Sequence, residues 1–211
     1  MDDKKWRATN TYNVLNEISP KEIRFLSATD PFQLLISVIL TAQTTDAQVE
    51  NIATNLFTKY PTAEKLADAD IDDVIEIIRS TGFHTTKAKN IIATSQKIIE
   101  EFKGKVPLTM KELTSLNGVG RKSASVILGQ IGNMAAIIVD THFKRVVQRV
   151  GLTEENDPTK IEKEVALLLP EEKHYRYSMI VNYHGREICH ARKPKCSICP
   201  IATYCRSYPI T

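Results

Sequence analysis

Apolar side chains recur along this chain at helical spacing. Val49, Ile52, Ala53, Leu56, Phe57 and Tyr60 fall at i, i+3, i+4, i+7, i+8 and i+11, one stripe of a helix with 3.6 residues per turn. Ile71, Val74, Ile75 and Ile78 repeat the spacing, as do Ala88, Ile91, Ile92 and Ser95, continued by Ile99 and Phe102, and again Ile161, Val165, Leu168 and Leu169. Phe32 to Leu40 is apolar on nearly every face, which predicts a central helix buried all round. Asp30-Pro31 and Asp157-Pro158 each set a capping carboxylate before a proline suited to a first helical turn. Gly82 and Gly104 stand where a left-handed residue ends a helix. No two-residue alternation is sustained, and Ala135 to Val139 reads as a link between helices. The pattern predicts an all-α chain of roughly ten short helices, without repeats.

Composition narrows the class. The chain has 211 residues, 42% hydrophobic and 25% charged, enough for a sizeable core and unlike a disordered chain. The longest apolar run, Leu34 to Leu40, is interrupted by Ser37 and is far too short to span a bilayer. Met-Asp-Asp-Lys-Lys-Trp opens the sequence with no apolar segment behind its charges. The expectation is a cytoplasmic protein without membrane contact. Net charge is only +3, but it is unevenly placed. From Gly185 onward, Arg186, Arg192, Lys193, Lys195 and Arg206 meet Glu187 alone, and the same stretch holds every cysteine, Cys189, Cys196, Cys199 and Cys205. A basic patch overlying a cysteine cluster is the first functional clue.

Two other segments carry candidate chemistry. Leu116-Asn117-Gly118-Val119-Gly120-Arg121-Lys122 sits between the helical pattern of Met110, Leu113 and Leu116 and that of Ala124, Ile127, Leu128 and Ile131. Two glycines in a tight turn permit positive φ and close approach of a ligand, and the N–H groups opening the next helix favour a phosphate. Glycines at a helical corner can equally serve packing alone. Lys122 falls in the first turn, where the helix dipole disfavours the positive charge that a nucleophilic amine must shed. Val139-Asp140-Thr141-His142 opens another amphipathic pattern, with Asp140 placed to cap it.

The cysteines are spaced Cys-x6-Cys-x2-Cys-x5-Cys. Confinement to so short a stretch argues for a metal centre over a disulfide framework. One Cys-x-x-Cys flanked by single cysteines is unlike the paired knuckles of structural zinc, and all-thiolate ligation suits an iron–sulfur cluster. Spacing alone leaves both open. Arg192, Lys193 and Lys195, on the loop between the first two cysteines, are suited to phosphates.

Together these residues resemble the endonuclease III family of the helix–hairpin–helix superfamily, bifunctional DNA glycosylases and abasic-site lyases. The likeness runs from Leu40-Thr41-Ala42-Gln43-Thr44-Thr45-Asp46 through Leu116 to Lys122, Val139 to His142 and His184-Gly185-Arg186 to Cys205. It implies two helical lobes flanking a DNA-binding cleft: a six-helix barrel over 22–133 and a cluster lobe of 1–21 with 134–211. It implies a [4Fe-4S] cluster held by Cys189, Cys196, Cys199 and Cys205, damaged double-stranded DNA as partner, and a monomer. By the same resemblance Lys122 is the nucleophile that forms a Schiff base at C1′, and Asp140 assists it. Gly118 and Gly120 hold a phosphate, Asn117, Arg121 and His142 contact DNA, Gln43 fills the vacated stack and Phe83 is a second wedge. The expected substrates are oxidised pyrimidines.

Three positions depart from the family pattern: Asn117 replaces proline, Ser123 replaces threonine, and Phe83 replaces an aliphatic wedge. Monofunctional glycosylases of the superfamily lack the lysine at position 122. A binding-only module would be expected to lose Lys122 or Asp140.

Overall fold

The computed structural model describes residues 3–132 and 134–209, and among these there is no β-strand. Among the described residues, eleven α-helices and three single-turn 3-10 helices fall into two compact units. One unit is contiguous, Phe25–Asn133, and the other joins Met1–Arg24 to Met134–Thr211.

The contiguous unit is built on α2 (Pro31–Leu40), whose residues from Phe32 to Leu40 are all buried except Gln33. Asp30 caps it by accepting from Gln33 N–H at 2.9 Å, and Pro31 opens it. Around α2 pack α3 (Asp46–Lys59), α6 (His84–Phe102) and α8 (Arg121–Gln130), with α4 (Ala63–Ala67) and α5 (Ile71–Ile78) against α6 and α7 (Met110–Thr114) against α8. Burying a leucine or isoleucine contributes about 1.5–3 kcal/mol, so α2 is the main apolar source of this unit. On α6 the buried stripe runs through Ile91, Thr94, Ser95 and Ile98. Ile99, expected inside, is only half-buried, because 3.6 residues per turn carries the stripe back to position 98.

The second unit contains a helix that apolar periodicity does not announce. In α1 (Asp3–Ile18) only Ala8, Thr11 and Leu15 are buried, and Thr11 Oγ1 lies 3.1 Å from Tyr177 Oη. They join a core with Phe143, Val146 and Val150 of α9 (Thr141–Val150), Ile161 and Val165 of α10 (Pro158–Ala166), and Tyr177 and Ile180 of α11 (His174–Glu187). Asp157 caps α10 as expected, accepting from Lys160 N–H at 3.0 Å. Residues 134–140 form a link, not a strand.

Candidate active site and iron–sulfur centre

The hairpin between α7 and α8 places each residue for a separate reason. Gly118 is left-handed (φ +78°), and a Cβ there would meet Asn90 Nδ2 at 2.9 Å and Ile39 Cγ2 at 3.1 Å. Thr94 Oγ1 donates to the Asn117 carbonyl at 3.0 Å, while Leu116 and Val119 are buried beneath the turn. Gly120 departs from expectation: it is extended (φ −89°, ψ 177°), and a Cβ there would meet nothing within 4 Å. The backbone at Gly120 therefore faces open space. It is the N-cap of α8, and among the described residues no side chain caps that end. Lys122 is the second residue of the helix and is exposed, its Nζ 5.0 Å from the centroid of the Phe25 ring.

Gln43 and Phe83 share an unusual backbone. Both are exposed and left-handed, at φ 53° and 58°, a conformation rare in non-glycine residues. The left-handed helix end expected at Gly82 is not found, because α5 closes at Arg79 in right-handed backbone and Phe83 instead opens α6, whereas Gly104 is left-handed as expected (φ +76°). A Cβ on Gly82 would lie 3.7 Å from the Gln43 carbonyl, so the two loops abut. Sequence reasoning missed Lys87, which is buried and donates to the Leu40 carbonyl at 2.8 Å and Thr44 Oγ1 at 2.7 Å. It ties α6 to the loop carrying Gln43, and burial holds its amine below the usual lysine range.

In the other unit, Asp140 caps α9, its Oδ1 accepting from Phe143 N–H at 2.7 Å. Its Oδ2 accepts from Asn182 Nδ2, another residue absent from the sequence reading. His142 is half-buried, its Nδ1 3.3 Å from Arg145 Nη2. Arg145 also donates to the carbonyls of Gly185 and Cys189, at 2.8 and 2.9 Å.

The four cysteines form no disulfide, each is half-buried, and together they line one pocket with Val146, Arg149, His184 and Ile201 among its walls. Burial pushes the Cys199 and Cys205 thiols up, and the neighbouring sulfurs act in the same direction. Cationic iron would reverse that by stabilising thiolates. Among the described residues no group of three or more His, Cys, Asp or Glu side chains forms a single-ion site. Zinc would draw its sulfurs to about 2.3 Å from one centre. Four thiols lining one pocket without converging on a single-ion site suit a multi-iron cluster better. Two residues outside the motif brace them. Arg149 donates to Cys189 Sγ at 3.2 Å, to the His190 carbonyl at 2.7 Å and to the Ala191 carbonyl at 3.1 Å, and its own carbonyl accepts from Cys205 Sγ. His184 Nε2 lies 3.7 Å from Cys199 Sγ, and burial pushes its imidazole down to about 4, leaving it neutral at physiological pH. Arg192, Lys193 and Lys195 are exposed, Lys193 with left-handed φ 50°.

Comparison with known proteins gives this geometry its family. Residues 36–171 match the HhH-GPD superfamily of base excision DNA repair proteins, and residues 189–205 match the iron–sulfur binding domain of endonuclease III. Endonuclease III of Synechocystis sp. is 44% identical over 208 residues, covering 98% of this chain and 95% of that one. The chain belongs to the endonuclease III family. The Bacillus subtilis endonuclease III is 37% identical over 182 residues, 84% of this chain and 81% of its own length. Among solved structures, a trapped endonuclease III–DNA covalent intermediate superposes with a TM-score of 0.90 at 33% identity, covering 96% of each chain. A thermostable thymine-DNA glycosylase shares the fold, with a TM-score of 0.82 at 23% identity. As a member of this family, the chain is a DNA-binding, base-excision-repair glycosylase with abasic-site lyase activity through a lysine Schiff base, and its cofactor is a [4Fe-4S] cluster. No helix among the described residues is long and apolar enough to cross a membrane.

Proposed function

We propose that Lys122 is the Schiff-base lysine and that the lesions removed are oxidised pyrimidines in double-stranded DNA. The observation that carries this reading is the setting of Lys122: second in a helix whose N-terminus has no side-chain cap among the described residues, two positions after a glycine whose backbone faces open space. A phosphate taken by those N–H groups brings a deoxyribose within reach of the amine. Neutral Lys122 Nζ attacks C1′, the glycosidic bond breaks and the base leaves. The C1′–O4′ bond then opens, O4′ taking a proton, to give the iminium, and loss of its C2′ proton expels the 3′ phosphate by β-elimination and opens the strand. In this reading Asp140 accepts the amine proton or stabilises positive charge developing on the sugar.

Gln43 and Phe83 replace the extruded nucleotide in the stack, an extrusion that costs a few kcal/mol and favours lesions that already weaken pairing. Asn117, Arg121 and His142 contact DNA near the extruded nucleotide, and Arg192, Lys193 and Lys195 meet backbone phosphates. Cys189, Cys196, Cys199 and Cys205 hold the cluster, which keeps that basic loop in shape. The protein works inside the cell on DNA, as a monomer.

Borohydride trapping on two duplexes, one with an abasic site and one with thymine glycol, tests the chemistry. The expected result is a covalent adduct on both, abolished by Lys122→Ala with DNA binding kept. An adduct that survives the substitution removes Lys122 as nucleophile. An adduct on the abasic duplex alone turns the lesion preference away from oxidised pyrimidines.

A further inference from the structure

Capping α9 needs only one oxygen of Asp140. Oδ1 accepts from Phe143 N–H at 2.7 Å and satisfies that role. Oδ2 is held as well, by the amide of Asn182 on α11, and nothing in helix capping requires it. An ionised carboxylate has about four acceptor positions. Phe143 and Asn182 take one on each oxygen, fixing the plane of the group and leaving one on each for an incoming partner.

Asn182 does not act in isolation. Ser178, Asn182 and Gly185 lie at i, i+4 and i+7, on one face of α11, and each meets the chain that leads into α9. Ser178 Oγ accepts from Ile138 N–H at 2.9 Å, Asn182 reaches Asp140, and a Cβ on Gly185 would lie 3.0 Å from His142 Cβ. Four helical residues advance about 6 Å, and two residues of extended chain about 6.6 Å. Positions 138 and 140 therefore keep step with 178 and 182, and Asp140 itself is extended (φ −105°, ψ −174°). Ser178 in turn donates to the His174 carbonyl at 3.0 Å, which fixes its hydroxyl as acceptor toward Ile138. The face works as a ruler: two polar contacts and one close packing point set the height of segment 138–142.

We infer that Asn182 is a positioning residue for Asp140, locking its second carboxylate oxygen so that the group meets the reacting amine or sugar in one orientation. This rests on the reading of Asp140 as a participant in the reaction.

Strand cleavage of an abasic-site duplex under single-turnover conditions tests it without depending on lesion preference. Asn182→Leu keeps the volume and removes the donor. A hydrogen bond to a charged group is worth enough to make the expected loss about tenfold to a hundredfold, with unchanged affinity for an abasic-analogue duplex. Asn182→Asp, which keeps the shape but offers no donor and sets a like charge against Asp140, should lose at least as much, and it covers the case in which the leucine variant fails to fold. In an Asp140→Asn background, its residual rate followed over hours, neither substitution should cost anything further. A merely structural role would slow both backgrounds alike. Wild-type rates in a folded Asn182 variant overturn the inference, as does a loss that persists once Asp140 is already asparagine. Asp140→Asn at wild-type rate would instead remove the role of Asp140, and the inference with it; slow Asp140→Asn beside fast Asn182 variants removes the inference alone.

Discussion

The helices α8 and α9 are each ten residues long, and each opens at a residue of the proposed site, yet their N-termini are treated in opposite ways. At α9 the carboxylate of Asp140 plugs the end by accepting from Phe143 N–H. At α8 the cap is Gly120, with no side-chain bond among the described residues and open space where a Cβ would stand. Both ends carry the same partial positive charge from the backbone dipoles. One uses it to immobilise a carboxylate of the protein, while the other leaves it open, at the place where the proposed phosphate would bind. A catalytic acid or base needs a fixed orientation, whereas a phosphate site needs vacancy, and the same helix geometry supplies either according to the residue at its first position.

The most damaging way to break this comparison is at the plugged end. Asp140→Asn retains an oxygen for the cap, so its melting temperature should stay close to that of the parent while strand cleavage falls about a hundredfold or more, within the range of general acid–base effects. Asp140→Ala should add a stability loss of about 1 kcal/mol from the missing cap. Equal melting of the two variants would show that capping contributes nothing here. Next in size, Gly118→Ala forces a side chain into a left-handed position against Asn90 and Ile39 and should cost about 1–3 kcal/mol in denaturant unfolding.

Gly120→Asp sharpens the comparison by turning the open end into a copy of the plugged one. The new carboxylate should stabilise α8 by a few tenths to about 1 kcal/mol, yet weaken DNA binding by about tenfold, or 1.4 kcal/mol. Gain of stability with unchanged affinity would mean that no phosphate visits that end. The smallest effect is expected away from both helices. Lys193→Glu should weaken binding to all sequences alike and reduce the slope of log affinity against log salt by about 1.

The plugged end was easier to read in sequence than its surroundings. Asp140 before Thr141 and an amphipathic run is a local signal, as are Asp30 and Asp157 before their prolines, because a cap involves residues three apart. Asn182 reaches Asp140 across 42 positions, and no local pattern encodes such a pairing. Lys87 is hidden for another reason: a lysine in an amphipathic helix reads as surface, and only the packed loop around Leu40 and Thr44 shows its amine bonded inside. Helix α1 escaped because three buried positions, one of them a threonine, make too thin a stripe. Left-handed backbone at Gln43 and Phe83 is likewise silent in sequence, since glycine is the residue that normally announces it.

The discontinuous unit has a consequence for how the polypeptide comes into being. Thr11 meets Tyr177, and Arg176 clasps Asn16 Oδ1 and the carbonyls of Pro20 and Lys21, contacts that span more than 150 positions. The contiguous unit, Phe25–Asn133, leaves the ribosome as a finished stretch and can fold as it emerges, because domains fold as units during synthesis. Helix α1 is made first and must wait through all of that for its partners. The last of the four thiols to emerge, Cys205, follows them, so the iron–sulfur centre is completed only after the helices of both units have been made. Synthesis runs from one end to the other, but completed structure in this chain can grow from the middle outward.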